Sequence, residues 1–276
     1  MEATTRCARV HRAKFTMAID ISWMLELLTP VFIVTCGLLA NVIVMSHLKR
    51  KYNRAGGKGV TPEGWKRVLL VTSHPDDETM FFGPTIQTLI RTGSEMHVLC
   101  LSSGDADGLG AVRTKELESV KSYLRLDSVE VVDDPRLRDG FKERWPVEAV
   151  AEYVDAAAKR INADAIISFD VGGVSGHPNH VATHRGVLYW MMNEEARGVA
   201  MPRVWVLVSV NVVRKFLMFA DVFASYIFEP HALVPAVKPT KLMHAMRLHK
   251  SQWVWYRKLF VFFSRYAYVN SLRRLR

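Results

Sequence analysis

Four ionisable side chains with the chemistry of metal ligands directly follow an apolar run in this sequence. The run Val68–Val71 has the length and composition of a buried strand, and His74, Asp76, Asp77 and Glu78 come just after it. In open α/β sheets, ligands bind outside the carboxyl ends of the strands. Burying these groups would be costly without a partner, and a metal ion is one such partner. A polar turn that caps the next helix is the alternative interpretation.

Two histidines in a second loop occupy the same topological position. His177 and His180 lie in a glycine-rich turn after the apolar run 164–169 and just before a predicted helix. Loops at the same edge of a parallel sheet can meet in space. Histidine, aspartate and histidine with one open position form a typical catalytic zinc set. We interpret His184, one helical turn after His180, either as a packing residue or as a residue that supports a ligand.

Strand-like and helix-like patterns alternate along the chain that carries these loops. The alternation predicts an α/β domain with a Rossmann-like, mostly parallel sheet and helices on both faces. The predicted strands are 68–71, 95–101, 128–132, 164–169 and 204–210, and the predicted helices are 79–92, 113–126, 147–162 and about 178–195.

The composition limits the class of protein. The 276 residues carry a formal net charge of +10 and are 49% hydrophobic, which suits one α/β domain or two small ones. A basic balance indicates anionic partners, namely nucleic acid, membrane phospholipid or a phosphorylated substrate. We predict no nucleic acid, because much of the charge flanks an apolar segment. The three cysteines are scattered, so the sequence predicts neither a disulfide framework nor a CxxC zinc site.

That apolar segment, residues 27–48, contains no Asp, Glu, Lys or Arg. At about 1.5 Å per residue it is long enough to cross a hydrocarbon core of about 30 Å. We therefore predict a basic N-terminal segment (1–26), one transmembrane anchor (27–48), a basic glycine-rich linker (49–65) and a catalytic domain (66–276). A cleaved signal peptide fits less well, because the apolar stretch is too long and starts too far in. A buried helix of a soluble domain is the other alternative.

Two motifs together carry a family resemblance. SHPDDE at 73–78 and GGVSGHPNH at 172–180 resemble the LmbE-like zinc de-N-acetylase family. The similarity is greatest to its PIG-L type, the N-acetylglucosaminyl-phosphatidylinositol de-N-acetylases of GPI-anchor biosynthesis. It extends from about Arg67 to the C-terminus and includes SSGDADGLGAVRTKEL and FSRYAYVNSL. Ser73 and Asn179 replace the alanine and aspartate of many bacterial members, and neither change removes an implied ligand.

The resemblance implies a role for each residue of the two motifs. His74, Asp77 and His180 are implied to bind zinc or another divalent metal. Asp76 is implied to be the general base, and His177 to stabilise the oxyanion as a protonated donor. Zinc lowers the pKa of water to about 7, and the resulting nucleophile attacks the acetamide of N-acetylglucosamine. Whether Asp76 or His177 protonates the leaving amine stays open.

Two further residues receive implied or expected roles. The resemblance implies that Arg113 contacts the sugar or the phosphate of the substrate, and a solvated helix residue is the alternative. Glu78 is expected to orient His74 or to cap the helix that follows. We assign no comparable role to the other histidines, which include His97, His244 and His249.

The resemblance also implies the partners and the location of the protein. It implies a glycosylphosphatidylinositol lipid substrate and a single-pass protein of the endoplasmic reticulum membrane whose catalytic domain faces the cytosol. No obligate protein partner can be predicted. The aromatic segments 216–228 and 253–263 are interpreted as buried core, with contact at the membrane interface as the alternative.

Other functions stay open at this point. A de-N-acetylase of a different amino sugar, a metal-dependent phosphoesterase and a non-catalytic membrane scaffold would all fit parts of the sequence. A dinucleotide-binding oxidoreductase fits poorly, because Gly104, Gly108 and Gly110 lack the GxGxxG spacing.

Overall fold

A computed structural model describes residues 22–54, 65–218, 220–228 and 232–275 of the chain. The chain divides into two units, Met1–Leu38 and Leu39–Arg276. Helix α1 (Ser22–Arg54) forms the described part of the first unit and continues into the second. Its segment Leu28–Leu48 is long and apolar enough to cross a membrane. The predicted linker 49–65 begins inside this helix, and residues 55–64 lie outside the described part of the chain.

The second unit is built on a mixed, mostly parallel sheet. Its strands are β1 (Arg67–Thr72), β2 (Glu95–Cys100), β3 (Ser128–Val131), β4 (Ala165–Phe169), β5 (Arg203–Leu207), β6 (Ala232–Pro235) and β7 (Val269–Arg274). They lie in the order β3-β2-β1-β4-β5-β7-β6. The strands from β3 to β5 are parallel, whereas β7 is antiparallel to both of its neighbours. The predicted Rossmann-like sheet is thus confirmed, with an antiparallel edge that the sequence did not predict.

Helices cover both faces of this sheet. They are α2 (Asp77–Met80), α3 (Gly83–Arg91), α4 (Gly110–Leu124), α5 (Val147–Ile161), α6 (Gly173–Gly176), α7 (Pro178–Ala196), α8 (Val212–Lys215), α9 (Val222–Phe228), α10 (Pro239–Leu248) and α11 (Trp255–Phe263).

Strand β1 shows why its sequence is a continuous apolar run. Val68 and Leu70 belong to the core that includes residues of α3, α4, α10 and α11. Leu69 and Val71 point the other way, into the core formed with α5 and α7. A central strand buried on both faces has no polar side, so its apolar pattern does not alternate.

Helices α5 and α7 pack closely because of a glycine. A Cβ at Gly186 would lie 2.3 Å from side-chain atoms of Val150, so no larger residue fits at this crossing without displacing α5.

The single helix expected over 79–92 is broken into α2 and α3. Pro84 stands in the first turn of α3, where its missing N–H costs nothing, and it would disrupt the interior of a continuous helix.

Within the second unit, the end of α1 packs against α9 and the antiparallel strands. Val44, Met45 and Leu48 form a buried cluster with Val222, Leu233 and Val269. Asn41 accepts a hydrogen bond at Oδ1 from the backbone N–H of Phe223 at 2.8 Å. The last turns of the candidate span are therefore part of the second unit.

The buried-core interpretation of the two aromatic segments is wrong. In α11, Trp255 is 72% exposed and Leu259 is 49% exposed, and of its nine residues only Val261 is buried. Phe216, in the loop before α9, and Ile227, in α9, are also exposed. These residues form an apolar surface instead of filling the core.

Candidate active site

The first motif forms a tight turn between β1 and α2. Asp77 accepts hydrogen bonds at Oδ2 from the backbone N–H groups of Ser73 and His74 at 3.0 and 2.8 Å. Glu78 accepts the N–H of Asp76 at 3.0 Å through Oε2. Asp76 itself has φ 125°, a conformation in which a residue with a side chain is strained. The turn thus holds two carboxylates by backbone donors and leaves Asp76 at its strained apex.

The second motif connects β4 to α7. His177 is the N-cap of α7, and His180 lies in the first turn of that helix. The ring of His180 stacks on Phe169, the last residue of β4, with centroids 4.1 Å apart. Nδ1 of His180 lies 3.1 Å from the carbonyl oxygen of Gly173. Both the strand end and the glycine turn therefore fix the orientation of this imidazole.

The two motifs meet as the sequence predicted. Ring nitrogens of His74, His177 and His180 all lie within 4.8 Å of one another. Asp77 joins this group, because its Oδ1 is 3.2 Å from Nε2 of His180 and its Oδ2 is 3.7 Å from Nδ1 of His74. Asp76 and these four residues line one cavity.

In His180 and His74, the hydrogen-bond partner of one ring nitrogen determines what the other ring nitrogen can bind. Because Nδ1 of His180 faces a carbonyl oxygen, that nitrogen carries the proton and Nε2 presents a lone pair to Asp77. Nε2 of His74 lies 2.9 Å from Oδ1 of Asp139, which likewise leaves a lone pair on Nδ1. In these neutral tautomers Nδ1 of His74, Oδ1 of Asp77 and Nε2 of His180 are acceptors that face one another. This donor set fits a divalent metal whose histidines are oriented by a carbonyl and a carboxylate.

Asp76 is a buried carboxylate between two guanidinium groups. Its Oδ1 lies 3.6 Å from NH2 of Arg113, and its Oδ2 lies 3.4 Å from Nε of Arg257. Burial raises the pKa of Asp76, although both arginines oppose that shift. A carboxylate whose pKa is raised holds a proton more readily than an exposed one, as a general base requires.

His177 is neutral in this environment. Burial and the adjacent His180 and His74 lower the pKa of His177 to about 4. Nδ1 accepts the backbone N–H of Asn179 at 3.3 Å, so the proton of the neutral ring is on Nε2. The sequence suggested a protonated donor; the structure indicates a neutral imidazole that donates through Nε2–H.

Arg113 lines the cavity, but its donors are largely used by the protein. The residue is 6% exposed, so the alternative of a solvated helix residue is wrong. NH1 donates to the carbonyl of Gly104 and NH2 to that of Pro75, both at 2.9 Å. Gly104 has φ +71°, and a Cβ there would lie 2.5 Å from the guanidinium. The glycine therefore makes room for an arginine that fastens two loops together.

The two residues expected to support the ligands have distinct contacts. Glu78 binds the N–H of Asp76 and so stabilises the turn before α2, and its other oxygen is bonded to Thr79 and His249. His184 places Nδ1 3.0 Å from the carbonyl of Phe169, the residue that stacks on His180. His184 thus holds the end of β4 and supports that ligand indirectly.

Four residues of the site were not found by sequence reasoning. Asp139 and Asn179 both bond Nε2 of His74, although Asp139 comes from a polar loop with no motif. Arg257 reaches Asp76 from α11. His249 was set aside, yet it is fully buried against Glu78. Only Asn179, inside the second motif, stood next to a signal in the sequence.

The residues of the two motifs that could bind a metal or move a proton line one cavity of about 820 Å³. Part of its lining consists of ionisable residues of the two motifs together with Arg113 and Asp139. Another part is apolar and consists of Phe216 and residues of α11, including Leu259, Phe260 and Phe263. The cavity thus suits a ligand with a polar head and an apolar tail.

Comparison with known proteins shows the family of this chain. A sequence model of the family described as PIG-L: GlcNAc-PI de-N-acetylase matches residues 69–191. A Schizosaccharomyces pombe protein named probable N-acetylglucosaminyl-phosphatidylinositol de-N-acetylase is 38% identical over 222 residues, which cover 75% of this chain and 86% of the relative. The chain belongs to the GlcNAc-PI de-N-acetylase family.

A second relative agrees with this assignment, and a solved structure shares the fold. A Bos taurus N-acetylglucosaminyl-phosphatidylinositol de-N-acetylase is 35% identical over 218 residues, covering 78% of this chain and 85% of the relative. The N,N'-diacetylchitobiose deacetylase of Pyrococcus horikoshii has a similar fold, with a TM-score of 0.56, 17% identity and coverage of 82% of this chain and 92% of that one. As a member of the GlcNAc-PI de-N-acetylase family the chain is an enzyme, and the non-catalytic scaffold is excluded.

Proposed function

We propose that this enzyme hydrolyses the N-acetyl group of N-acetylglucosaminyl-phosphatidylinositol with zinc as its metal. The products would be acetate and glucosaminyl-phosphatidylinositol, and the reaction would be the second step of GPI-anchor biosynthesis. The names of the relatives support this substrate. The observation that carries the proposal is the cavity, because its lining combines a metal-binding set and the buried Asp76 with an apolar wall.

Three side chains would hold the metal. They are His74 through Nδ1, Asp77 through Oδ1 and His180 through Nε2. Each of these atoms is an acceptor, because the other nitrogen or oxygen of the same side chain is hydrogen-bonded to the protein. Two nitrogens and one oxygen with an open position match the ligands of catalytic zinc. When bound there, zinc would lower the pKa of water and polarise the amide carbonyl.

Asp76 and His177 would move the protons and stabilise the charge. As the water oxygen bonds to the carbonyl carbon, Asp76 takes the water proton, which its raised pKa favours. His177 donates Nε2–H to the carbonyl oxygen as it becomes negative. The carbon–nitrogen bond then breaks, Asp76 returns the proton to the amine nitrogen, and acetate leaves with the added oxygen. Each residue is expected to contribute on the order of 10² to 10⁴ in rate.

The enzyme is proposed to work at the endoplasmic reticulum membrane with its catalytic unit in the cytosol. Helix segment Leu28–Leu48 supports a single membrane span, and the basic residues that follow it support a cytosolic C-terminal side. The exposed aromatic face of α11 supports contact with the lipid interface. Protease digestion of sealed microsomes tests the orientation: the catalytic unit should be degraded without detergent, and protection would place it in the lumen.

Acetate release tests the reaction and the metal together. The full chain in detergent would be assayed on N-acetylglucosaminyl-phosphatidylinositol before and after chelation, and again after zinc or another divalent metal is added back. Chelator-sensitive acetate release that zinc restores supports the proposal. Restoration by a different metal alone would reject zinc, and absence of acetate release with metal bound would reject this substrate.

The same preparation separates the alternative reactions. A phosphoesterase would release phosphate or inositol phosphate and leave the amide intact. A de-N-acetylase of another amino sugar would release acetate from free N-acetylated oligosaccharides faster than from the lipid-linked sugar.

A further inference from the structure

Arg257 is a cation where the ionisable and the apolar parts of the cavity lining adjoin. It lies on α11, whose neighbouring residues Tyr256, Leu259 and Phe260 form part of the apolar wall. On the other side, its Nε is 3.4 Å from Oδ2 of Asp76. A group bound by Arg257 would therefore lie where a polar head joins an apolar tail.

The guanidinium of Arg257 is positioned and partly free. NH1 donates to Oε1 of Gln252, a side chain that is itself buried. The side chain is 24% exposed. Among the described residues its contacts use Nε and NH1, so NH2 is available to a ligand. A guanidinium held in this way matches the paired oxygens of a phosphate.

Arg113, the other guanidinium of the cavity, is less suited to bind a ligand. Both of its terminal nitrogens donate to backbone carbonyls, those of Gly104 and Pro75. Binding a phosphate there would break hydrogen bonds of a residue that is 6% exposed. The phosphate-binding role that was open for Arg113 fits Arg257 better.

We propose that Arg257 binds the phosphodiester of a phospholipid-linked substrate and thereby makes the enzyme prefer that substrate to the phosphate-free sugar. This inference rests on the proposed function and adds the residue that recognises the lipid linkage. In N-acetylglucosaminyl-phosphatidylinositol the phosphodiester joins the sugar–inositol head to the diacylglycerol. With the acetamide beside Asp76 and the acyl chains along the α11 wall, the phosphodiester lies between them, where Arg257 stands.

The test compares two soluble substrates that differ in the phosphodiester. One is the glycerophosphodiester obtained by deacylating N-acetylglucosaminyl-phosphatidylinositol, and the other is N-acetylglucosaminyl-inositol. Full-length wild-type enzyme, Arg257→Gln and Arg257→Lys would be assayed for kcat and KM on both. Loss of a charge-assisted contact should reduce the preference for the phosphodiester about 10- to 100-fold in Arg257→Gln, mainly through KM. Arg257→Lys should retain part of the preference.

Lys258→Gln is the matched control, because it removes the same charge one residue away on an exposed side chain. It should keep the wild-type preference. An equal loss on both substrates in Arg257→Gln would overturn the inference and would mean that Arg257 acts only through Asp76. If Lys258→Gln loses the preference as fully as Arg257→Gln does, the inference is also overturned, because the loss would then be a general effect of charge.

A binding measurement separates failure of this inference from failure of the proposed function. Glycerophosphoinositol titrated into the wild-type protein by calorimetry should bind, and the affinity should fall about 10- to 100-fold in Arg257→Gln. If the wild type releases acetate neither from these two substrates nor from intact N-acetylglucosaminyl-phosphatidylinositol, the proposed function is wrong. The titration then still decides whether Arg257 binds the phosphodiester.

Discussion

Nε2 of His249 lies 2.8 Å from Oε1 of Glu78, and both side chains are completely buried. Burial opposes the charge on each partner, but their attraction more than offsets it, so the pKa of Glu78 is lowered and that of His249 is raised. The other oxygen of Glu78 binds the N–H of Asp76. A histidine 171 positions further along the chain therefore anchors the turn that carries the candidate base.

Replacing His249 by alanine should destabilise the protein. Glu78 would be left as a buried carboxylate without its cation, and breaking such a pair costs about 3–5 kcal/mol. The free energy of unfolding in denaturant measures this loss. His244→Ala, an exposed histidine on α10, should change it by less than about 0.5 kcal/mol. A loss in His249→Ala no larger than that of the control would mean that the pair does not stabilise the fold.

Asp76→Asn should abolish most of the turnover without releasing metal. The amide cannot accept the water proton, so kcat should fall on the order of 10²- to 10⁴-fold. Metal content measured by elemental analysis should stay at the wild-type level, because Asp76 is not one of the three groups assigned to the metal. Asp107→Asn, an exposed residue, is the control. Wild-type turnover in Asp76→Asn would remove Asp76 as the base.

Asp139→Asn should weaken metal binding more than it changes the fold. Asp139 accepts a hydrogen bond from Nε2–H of His74, and loss of such a partner typically lowers metal affinity 10- to 100-fold. Competition with a chelator of known affinity measures the change. Asp133→Asn, an exposed residue of the same loop, should bind metal as the wild type does. Equal affinities in the two variants would show that His74 does not need this carboxylate.

The outer face of α11 should contact lipid when the full chain is reconstituted into vesicles. Five of the nine side chains of α11 are exposed and aromatic or aliphatic, and tryptophan and tyrosine favour the interface. Spin labels at Trp255 and Phe262, which are exposed and do not line the cavity, should be more accessible to oxygen than to a water-soluble nickel complex. A label at Met192, equally apolar and 59% exposed on α7, should show the opposite. The same accessibility at all three positions would exclude this contact.

The sequence alone determined the local order of the site and the class of fold. Val68–Val71 is apolar without alternation because β1 is covered on both faces, and this run placed His74 and Asp77 at a strand end. The glycine-rich turn before His180 marked a second strand end. Parallel strands present their carboxyl ends at one edge, so the meeting of the two motifs followed from topology.

Only the tertiary structure decided which distant residues complete the site. Asp139, His249 and Arg257 come from segments whose own patterns do not indicate a site, and each reaches the site through contacts that are long-range in sequence. Helix α11 shows why burial could not be predicted from the sequence. Its aromatic composition resembles a core helix, and whether such a helix is buried depends on what packs against it. That partner is set by the arrangement of the whole chain, because burial is a property of three-dimensional packing and not of local sequence.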